Sequence, residues 1–306
     1  MPICIPKDLP AARTLQEENI FVMDVERATS QDIRPLHILV LNLMPTKIVT
    51  ETQLARLLGN TPLQIDMELL TVSRMPKHTA KEHMISFYQT FEDVKDQYYD
   101  GMVITGAPVE KMKFEEVEYW DELCEIMDWS RSHVYSTLHI CWGAQAGLYH
   151  HYGVRKVLLD QKMFGVFRHR VVHKGSILFR GFDDDFLVPH SRHTGLVEED
   201  VRNCAALKVL AESAEAGIYA ISTDSGRQIF ITGHSEYDTN TLRDEYLRDK
   251  NEGLAIQLPQ NYFPQDDDTK APACTWRSSA NLLFSNWLNY FVYQETPYLV
   301  KTISAL

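Results

Sequence analysis

The chain has 306 residues, 44% of them hydrophobic and 24% charged, with a net charge of −12. These values are typical of a globular protein with a substantial core, and the acidic balance argues against a nucleic acid or an anionic membrane surface as a partner. No apolar run approaches the roughly 20 residues that span a bilayer. The N-terminal segment has no signal-peptide pattern, and the five cysteines are scattered without a CxxC pair, so we expect a cytoplasmic protein with reduced thiols.

Predicted strands and helices alternate through the first half of the chain. The first strand, 35–44, is a nearly continuous apolar run, as expected for a strand buried on both faces, and the helices are marked by apolar periodicity and glycine stops. This alternation predicts βαβ units and a doubly wound parallel sheet, in which ligands bind at the carboxyl ends of the strands. The predicted strands are 35–44, 63–72, 100–108 and 134–140, and the predicted helices are 46–59, 114–133 and 142–153.

The second half of the chain is less regular, with short β runs and many turn residues between 162 and 195. We interpret the chain as an N-terminal extension, 1–34, followed by one domain, 35–306, with an elaborated C-terminal part. An aromatic-rich helix closes the domain and is expected to serve as core or as a subunit interface. Further predicted elements are the strands 207–213, 217–224 and 227–234, the last two forming a hairpin around DSGR, and a helix over 240–253.

Cys141 lies between the predicted strand 134–140 and the helix that follows it. The free N–H groups at a helix start lower the pKa of a thiol and can hold an oxyanion. This position therefore suits a nucleophile lifted out of the sheet on a turn. The competing interpretation is a buried and inert cysteine.

The segment TGHSEYD, at 232–238, follows another apolar strand. His234 and Glu236 are two residues apart in what should be an extended tail, so their side chains would point the same way. A histidine beside a carboxylate fits a general base with an orienting partner. Together with Cys141 the segment predicts a Cys–His–Glu triad. The competing interpretation is the start of a helix with a solvated Glu236.

Several blocks of the sequence, in order, resemble the homoserine O-acyltransferase family of methionine biosynthesis, of the homoserine transsuccinylase type. A cysteine turn followed by H-x-E also resembles the class I glutamine amidotransferases, although His139 stands where those proteins usually have glycine. The resemblance implies an α/β fold with a flavodoxin-like parallel sheet flanked by helices. The matching blocks are LNLMPTKIVTE, TGAPVEKMKFEEVEYW, CWGAQAGL, RGFDDDFLVPHSRHT, TGHSEYD, NYFP and TWRSSANLLFSNWLNYFVYQETPY.

The resemblance also implies a covalent mechanism. In the resembling family, a cysteine takes the acyl group of acyl-CoA as a thioester, and the hydroxyl of L-homoserine then attacks that thioester. Cys141 matches this nucleophile, His234 the base and Glu236 the partner of the base. Covalent catalysis of this kind predicts ping-pong kinetics. Acyl-CoA is then a co-substrate, and no tightly bound cofactor is implied.

Lys162, Ser191 and Arg248 match the homoserine-binding residues of the resembling family. An arginine can bind a substrate carboxylate through two hydrogen bonds. Glu245 lies three residues before Arg248 on the same predicted helix, so it is a candidate for the substrate ammonium, and Lys47 is a candidate neighbour of the acyl site. The competing interpretations are a surface ion pair, solvated lysines and a turn serine.

Glu110 and Ser191 match the positions that bear on acyl-CoA specificity in the resembling family. At the first of these positions, glycine accompanies succinyl-CoA and glutamate accompanies acetyl-CoA. The physical chemistry agrees, because the distal carboxylate of a succinyl group would meet added bulk and like charge there. We therefore predict homoserine O-acetyltransferase activity. The competing interpretation is an exposed glutamate at a helix start, neutralised by Lys111 and Lys113.

Three alternative functions remain at this point: the same reaction with succinyl-CoA, an amidotransferase-like hydrolase, and a catalytically silent binding protein. We predict no metal site, because the pairs His150–His151 and His169–His173 have no thiolate partner at zinc spacing. The acidic runs 183–185 and 266–268 are interpreted as solvated turns. The predicted partners are small molecules, and a homodimer is among the assemblies that the sequence allows.

Overall fold

The computed structural model describes residues 3–18, 22–23, 34–73 and 81–305. Twelve strands in this part of the chain form one mixed sheet. They are β1 Ile3–Cys4, β2 Val22–Met23, β3 Leu36–Leu41, β4 Ile65–Leu70, β5 Tyr88–Gln89, β6 Tyr99–Ile104, β7 Val134–Ile140, β8 Lys156–Val171, β9 Asp185–Leu196, β10 Leu207–Ser213, β11 Gly217–Thr223 and β12 Gln228–Ile231.

The α-helices of the described residues connect the parallel strands and cover the sheet. None of them is long and apolar enough to cross a membrane. They are α1 Pro10–Glu17, α2 Lys47–Gly59, α3 Lys81–Phe87, α4 Phe91–Val94, α5 Trp120–His133, α6 Trp142–Tyr152, α7 Glu198–Asn203, α8 Thr241–Asn251 and α9 Arg277–Asn286.

Five parallel strands at the centre of the sheet stand in the order β4-β3-β6-β7-β12. Counted along the chain, this is the order 2-1-3-4-5 of flavodoxin-like sheets, and it confirms the predicted fold. Alternate residues of β3 enter different cores: Ile38 belongs to one cluster of buried residues and Leu39 to another. The central strands are thus covered on both faces, which is why they are rich in apolar residues.

The C-terminal part of the sheet is antiparallel. From β12 outward, β11, β10, β8 and β9 pair antiparallel, including the predicted hairpin around DSGR. The long β8–β9 hairpin was not predicted, because one side of it is exposed and carries charged residues such as Arg168. Leu158, for example, is 64% exposed, and such a strand lacks the continuous apolar run of a central one.

The predicted helix 114–133 is wrong in its first turns. Phe114–Glu116 form a 3₁₀ turn, and Val117 then takes an extended backbone. The Glu116 carboxylate accepts a hydrogen bond from the Lys113 N–H at 3.1 Å, which closes that turn locally. The helix α5 therefore begins only at Trp120, although apolar residues continue with helical spacing.

Both ends of the chain pack on the sheet. In the predicted extension, β1 pairs in parallel with β4, and Leu15 of α1 is fully buried. At the other end, α9 continues into a π-helix, Trp287–Tyr293, whose Trp287 ring is fully buried and donates to Ser136 Oγ at 3.0 Å. The aromatic C-terminal helix is thus part of the core, as one of the two interpretations held.

Candidate active site

Cys141 occupies a tight turn between β7 and α6, as predicted. Its backbone has φ 50° and ψ −114°, a conformation that residues with a side chain rarely adopt. Its N–H donates to Ile231 O of β12 at 2.7 Å, and its C=O accepts from Gln145 N at 3.1 Å. A Cβ on Gly143 would lie 2.5 Å from Thr105 O, so the helix start packs directly on the end of β6. Neighbouring strands therefore hold the turn in place.

The strain at Cys141 leads to a stability prediction. Alanine normally gives a more stable protein than glycine, but at this φ we expect Cys141→Gly to exceed Cys141→Ala in unfolding free energy by about 1–2 kcal/mol. Urea unfolding of the two variants measures the difference. Ala146 in the middle of α6 is the control site, where glycine should cost about 1 kcal/mol. A Cys141→Ala protein as stable as Cys141→Gly would contradict the strained turn.

His234 follows β12, the parallel neighbour of β7, so it lies next to Cys141. The extended tail that we predicted here is wrong, because Tyr237 N donates to His234 O at 3.2 Å and closes a turn. The turn nevertheless places Glu236 Oε1 at 2.7 Å from His234 Nδ1. Both side chains are almost completely buried. The structure thus brings the imidazole and the carboxylate together by a route other than the expected one.

The imidazole of His234 faces the thiol of Cys141 and interacts with it electrostatically. Burial by itself would lower the pKa of His234, but the Cys141 thiolate and the Glu236 carboxylate outweigh burial and raise this pKa well above its ordinary value. A Cβ on Gly106 would lie 3.3 Å from Cys141 Cβ, 3.5 Å from His234 Cε1 and 3.8 Å from Trp142 N. Glycine there leaves open space beside the nucleophile, the base and the first N–H of α6.

Glu110 lies in the turn after β6, and its side chain turns toward the site. Its Oε2 accepts a hydrogen bond from His193 N at 2.9 Å. Burial raises the pKa of this carboxyl, while the hydrogen bond from His193 and the charges of His234 and Lys162 oppose the shift. The competing interpretation, an exposed glutamate at a helix start, is therefore wrong.

Lys162 and Ser191 meet on one carboxylate. Lys162 Nζ lies 2.6 Å from Glu245 Oε1, and Ser191 Oγ donates to the same oxygen at 2.8 Å. The register of the β8–β9 hairpin explains the position of the lysine. Leu158 pairs with Thr194 and Met163 with Arg192, so four residues, 159–162, face one residue of β9. This bulge moves Lys162 out of the regular strand and toward α8.

Arg248 is less engaged than its two predicted partners. Its Nη2 lies 3.9 Å from Glu245 Oε1, and its side chain is 58% exposed. It binds Asp249 Oδ1 instead, through Nε at 2.8 Å and Nη2 at 2.6 Å. Asp249 also lies 3.6 Å from Lys162 Nζ. The predicted homoserine residues thus converge on two carboxylates of α8, and Arg248 keeps donors free at the surface.

Lys47 is buried, so the solvated lysine that we considered is wrong. It stands at the start of α2, where Nζ donates to Asn42 O and lies 5.3 Å from the centre of the Tyr88 ring. Burial lowers the pKa of this ammonium to about 7, against a smaller opposing effect of Glu51. Its closeness to the acyl site stays a prediction.

The histidine pairs considered for a metal have other surroundings. His169 is buried and lies 3.1 Å from His190, Nε2 to Nε2, while His173 is exposed. His150 Nε2 lies 2.9 Å from Asp128 Oδ1, with His151 Nδ1 at 3.8 Å from the same atom. In the described part of the chain, the other group with metal-type ligands is His37, Asp66 and Glu68. The absence of a metal site remains a prediction.

Two charged residues near the site, Asp249 and Arg192, were not predicted from the sequence. Asp249 is four residues after Glu245 on α8, and this spacing on one helix face was a usable signal. Arg192 is buried and donates to Thr194 O at 2.6 Å. Burial lowers the pKa of its guanidinium, and the charges of Cys141 and Glu110 act in the opposite direction. Nothing in the local pattern of β9 distinguishes this arginine from an exposed one.

The fold is of the class I glutamine amidotransferase type. Two solved structures named as glutamine amidotransferases share the fold. The one from Thermotoga maritima has a TM-score of 0.54 at 12% identity and covers 85% of this chain and 100% of its own. The one from Methylobacillus flagellatus has a TM-score of 0.51 at 12% identity, covering 84% of this chain and 95% of its own.

The family model described as homoserine O-succinyltransferase matches residues 2–298, and the chain belongs to this family. Curated relatives named homoserine O-acetyltransferase match almost the whole length. The one from Acetivibrio thermocellus is 60% identical, covering 97% of this chain and 98% of the relative. The one from Clostridium novyi is 61% identical over 97% and 99%, and the one from Bacteroides thetaiotaomicron is 59% identical over 99% and 100%.

Proposed function

We propose that the protein transfers the acetyl group of acetyl-CoA to the hydroxyl of L-homoserine, as a cytoplasmic enzyme of methionine biosynthesis. The observation that carries the proposal is the series Cys141–His234–Glu236 at the carboxyl ends of β7 and β12, in which the imidazole faces the thiol and binds Glu236 Oε1 at 2.7 Å. The names of relatives about 60% identical over the full length support the reaction. Acetyl-CoA is a co-substrate, and no tightly bound cofactor is proposed.

In the first half-reaction, the Cys141 thiolate attacks the thioester carbonyl of acetyl-CoA. A new carbon–sulfur bond forms, the bond to the CoA sulfur breaks, and the proton held by His234 passes to the leaving CoA thiolate. The carbonyl oxygen becomes negative in the tetrahedral intermediate, and the N–H at the start of α6 borders the space left open by Gly106. A preorganised backbone donor at such a point stabilises an oxyanion. One thioester replaces another, so the step is near thermodynamic balance.

In the second half-reaction, neutral His234 takes the proton of the homoserine hydroxyl as its oxygen attacks the acetyl-enzyme. The bond to Cys141 Sγ breaks, O-acetylhomoserine leaves, and the imidazolium again faces a thiolate. Glu236 Oε1, at 2.7 Å from Nδ1, accepts the hydrogen bond of that nitrogen. This contact fixes the tautomer in which the other nitrogen faces Cys141 and stabilises the imidazolium that forms.

Homoserine is proposed to bind between the β8 bulge and α8. Arg248 has free donors at the edge of this cleft for the substrate carboxylate. Glu245 Oε1 already accepts from Lys162 and Ser191, so its second oxygen is the acceptor for the ammonium. Lys162 and Ser191 then act mainly by holding that carboxylate in place, and Ser191 also bears on substrate specificity.

The donor preference is the finer part of the proposal. Glu110 is half-buried, and its hydrogen bond with His193 directs the carboxylate into the site. A succinyl group would bring a second carboxylate to this poorly hydrated position, whereas an acetyl group is neutral and small. Succinyl-CoA is the second candidate donor, because the matching family model carries the succinyltransferase description.

We expect native enzyme to prefer acetyl-CoA and Glu110→Gly to gain on succinyl-CoA. Removing one half-buried like charge should shift the ratio of kcat/KM for the two donors by roughly 10- to 100-fold toward succinyl-CoA. Homoserine-dependent release of CoA measures both donors. Glu115→Gly is the control. It removes a nearby carboxylate, which accepts a hydrogen bond from Tyr149, and it should leave the ratio unchanged. A native preference for succinyl-CoA would contradict the donor assignment, while no turnover with either donor would contradict the reaction.

A further inference from the structure

Tyr237 is the last residue of the turn that begins at His234, and the steps above do not use it. Its ring lies almost parallel to the His234 imidazole, with 4.1 Å between centroids and 12° between planes. The hydrogen bond from Tyr237 N to His234 O, at 3.2 Å, folds the ring onto the imidazole. One turn therefore supplies a carboxylate to the edge of the imidazole and an aromatic ring to its face.

Contacts with three other elements fix this turn. Tyr219 of β11 shares a 2.7 Å hydrogen bond with Ser235, hydroxyl to hydroxyl. Trp276, just before α9, donates from Nε1 to Tyr237 O at 3.0 Å. His234 N donates to Pro189 O of β9 at 2.8 Å. Because the backbone is held on both sides of the stack, the two rings cannot separate without breaking buried hydrogen bonds.

The face of a phenol ring carries negative charge density and attracts a cation placed over it, most strongly where water is excluded. His234 is almost fully buried and becomes an imidazolium when it takes the homoserine proton. The charged and titratable groups around the stacked pair are Cys141, Glu236 on its own turn, Glu110 from the turn after β6, and Glu245 of α8, which acts on Tyr237. His190 of β9 also faces it, with a pKa held well below the ordinary value by burial and by the neighbouring histidine and arginine charges.

We propose that Tyr237 is a positioning residue for the transfer step: its ring holds the plane of the His234 imidazole and stabilises the imidazolium. The inference deepens the proposed function and rests on it. The ring acts through His234, so its effect belongs to the protonation of the base and to the rate of transfer. The binding of acetyl-CoA is not expected to depend on it.

The test compares Tyr237→Leu, which removes the ring, with Tyr237→Phe, which keeps it. The readout is the pH dependence of kcat/KM for homoserine. Its acid limb, the fall of kcat/KM toward low pH, reports the protonation of His234. In Tyr237→Leu the imidazolium loses its stabilising face, so we expect the limb to move about 0.5 unit to lower pH, and kcat to fall about tenfold. Tyr237→Phe should restore the native limb and keep kcat within about threefold of native.

Tyr98→Leu is the matched control. Tyr98 also stacks on a histidine, His133, at 4.6 Å and 30°, but at the opposite end of β7. This variant should keep the native pH profile. Folding of Tyr237→Leu is checked by thermal melting. If the folded variant keeps the acid limb of the native enzyme, the inference is overturned. A Phe variant that behaves like the Leu variant would also overturn it, because the ring would then not be the active part.

The two levels of the proposal fail separately. Absence of homoserine-dependent turnover in native protein contradicts the proposed function. In that case the rate of Cys141 alkylation by iodoacetamide, measured against pH, still compares the variants, because the charge on His234 acts directly on this thiol. A pH profile of alkylation that shifts in Tyr237→Leu and not in Tyr237→Phe supports the proposed role of the ring. Identical profiles in native protein and both variants refute that role.

Discussion

Replacing Cys141 by serine is expected to lower homoserine-dependent turnover by about 10⁴-fold or more, the scale seen when a member of a catalytic unit is removed. A serine hydroxyl at the same place is far less acidic than a thiol, and His234 would have to remove its proton in the transition state. The first step would also form an oxygen ester from a thioester, so it would no longer be near thermodynamic balance. Steady-state release of CoA with saturating acetyl-CoA and homoserine measures the effect.

The control for this prediction is Cys124→Ser. Cys124 is a partly buried thiol on α5, and burial raises its pKa to about 11, with smaller contributions from nearby carboxylates. It is therefore a protonated thiol at neutral pH, and its variant should keep native turnover. Turnover of Cys141→Ser above about one hundredth of native would show that the reaction does not depend on the thiol.

Glu236→Gln is expected to lower kcat by about 10³- to 10⁴-fold while leaving the fold intact. An amide can still hydrogen-bond Nδ1, but it does not stabilise an imidazolium and it permits the wrong tautomer. Asp128→Asn is the matched control, because Asp128 makes the same kind of contact with His150, 2.9 Å away, outside the site. A kcat of Glu236→Gln within tenfold of the native value would show that the mechanism does not depend on the carboxylate.

The pH dependence of Glu236→Gln gives an independent check with a defined sign. The Glu236 carboxylate helps to raise the pKa of His234, so its loss allows the imidazole to release its proton at a lower pH. The acid limb of kcat/KM for homoserine should therefore move to lower pH as the maximum falls. A limb that moves to higher pH would mean that Glu236 does not stabilise the protonated base.

The central sheet was predictable because burial leaves a direct mark on sequence. Strands covered on both faces are mostly apolar, so β3 appears as an almost continuous apolar run and β6 ends in one. The turn at Cys141 was predictable for a related reason, since a strand that stops abruptly before small residues must change direction. The flavodoxin-like order of the strands came from the resemblance to a known family, because local patterns do not encode which strands pair.

The substrate side of the site could be predicted only in part. Lys162, Ser191 and Arg248 were assigned by resemblance, and the structure adds the bulge at 159–162 and the shared acceptor Glu245. A bulge depends on register with a partner strand, and register is invisible in a single strand. Tyr237 was missed for the same physical reason, because the segment was taken as extended and the closing hydrogen bond of the turn depends on tertiary contacts.

The most direct test of the covalent mechanism is the intact mass of the protein after incubation with acetyl-CoA in the absence of homoserine. We predict a gain of one acetyl group in native protein, its loss when homoserine is added, and no gain in Cys141→Ser. Loss of the acetyl group at the same rate without homoserine would indicate hydrolysis in place of transfer. An unmodified native protein that still turns over acetyl-CoA and homoserine would contradict the acetyl-enzyme.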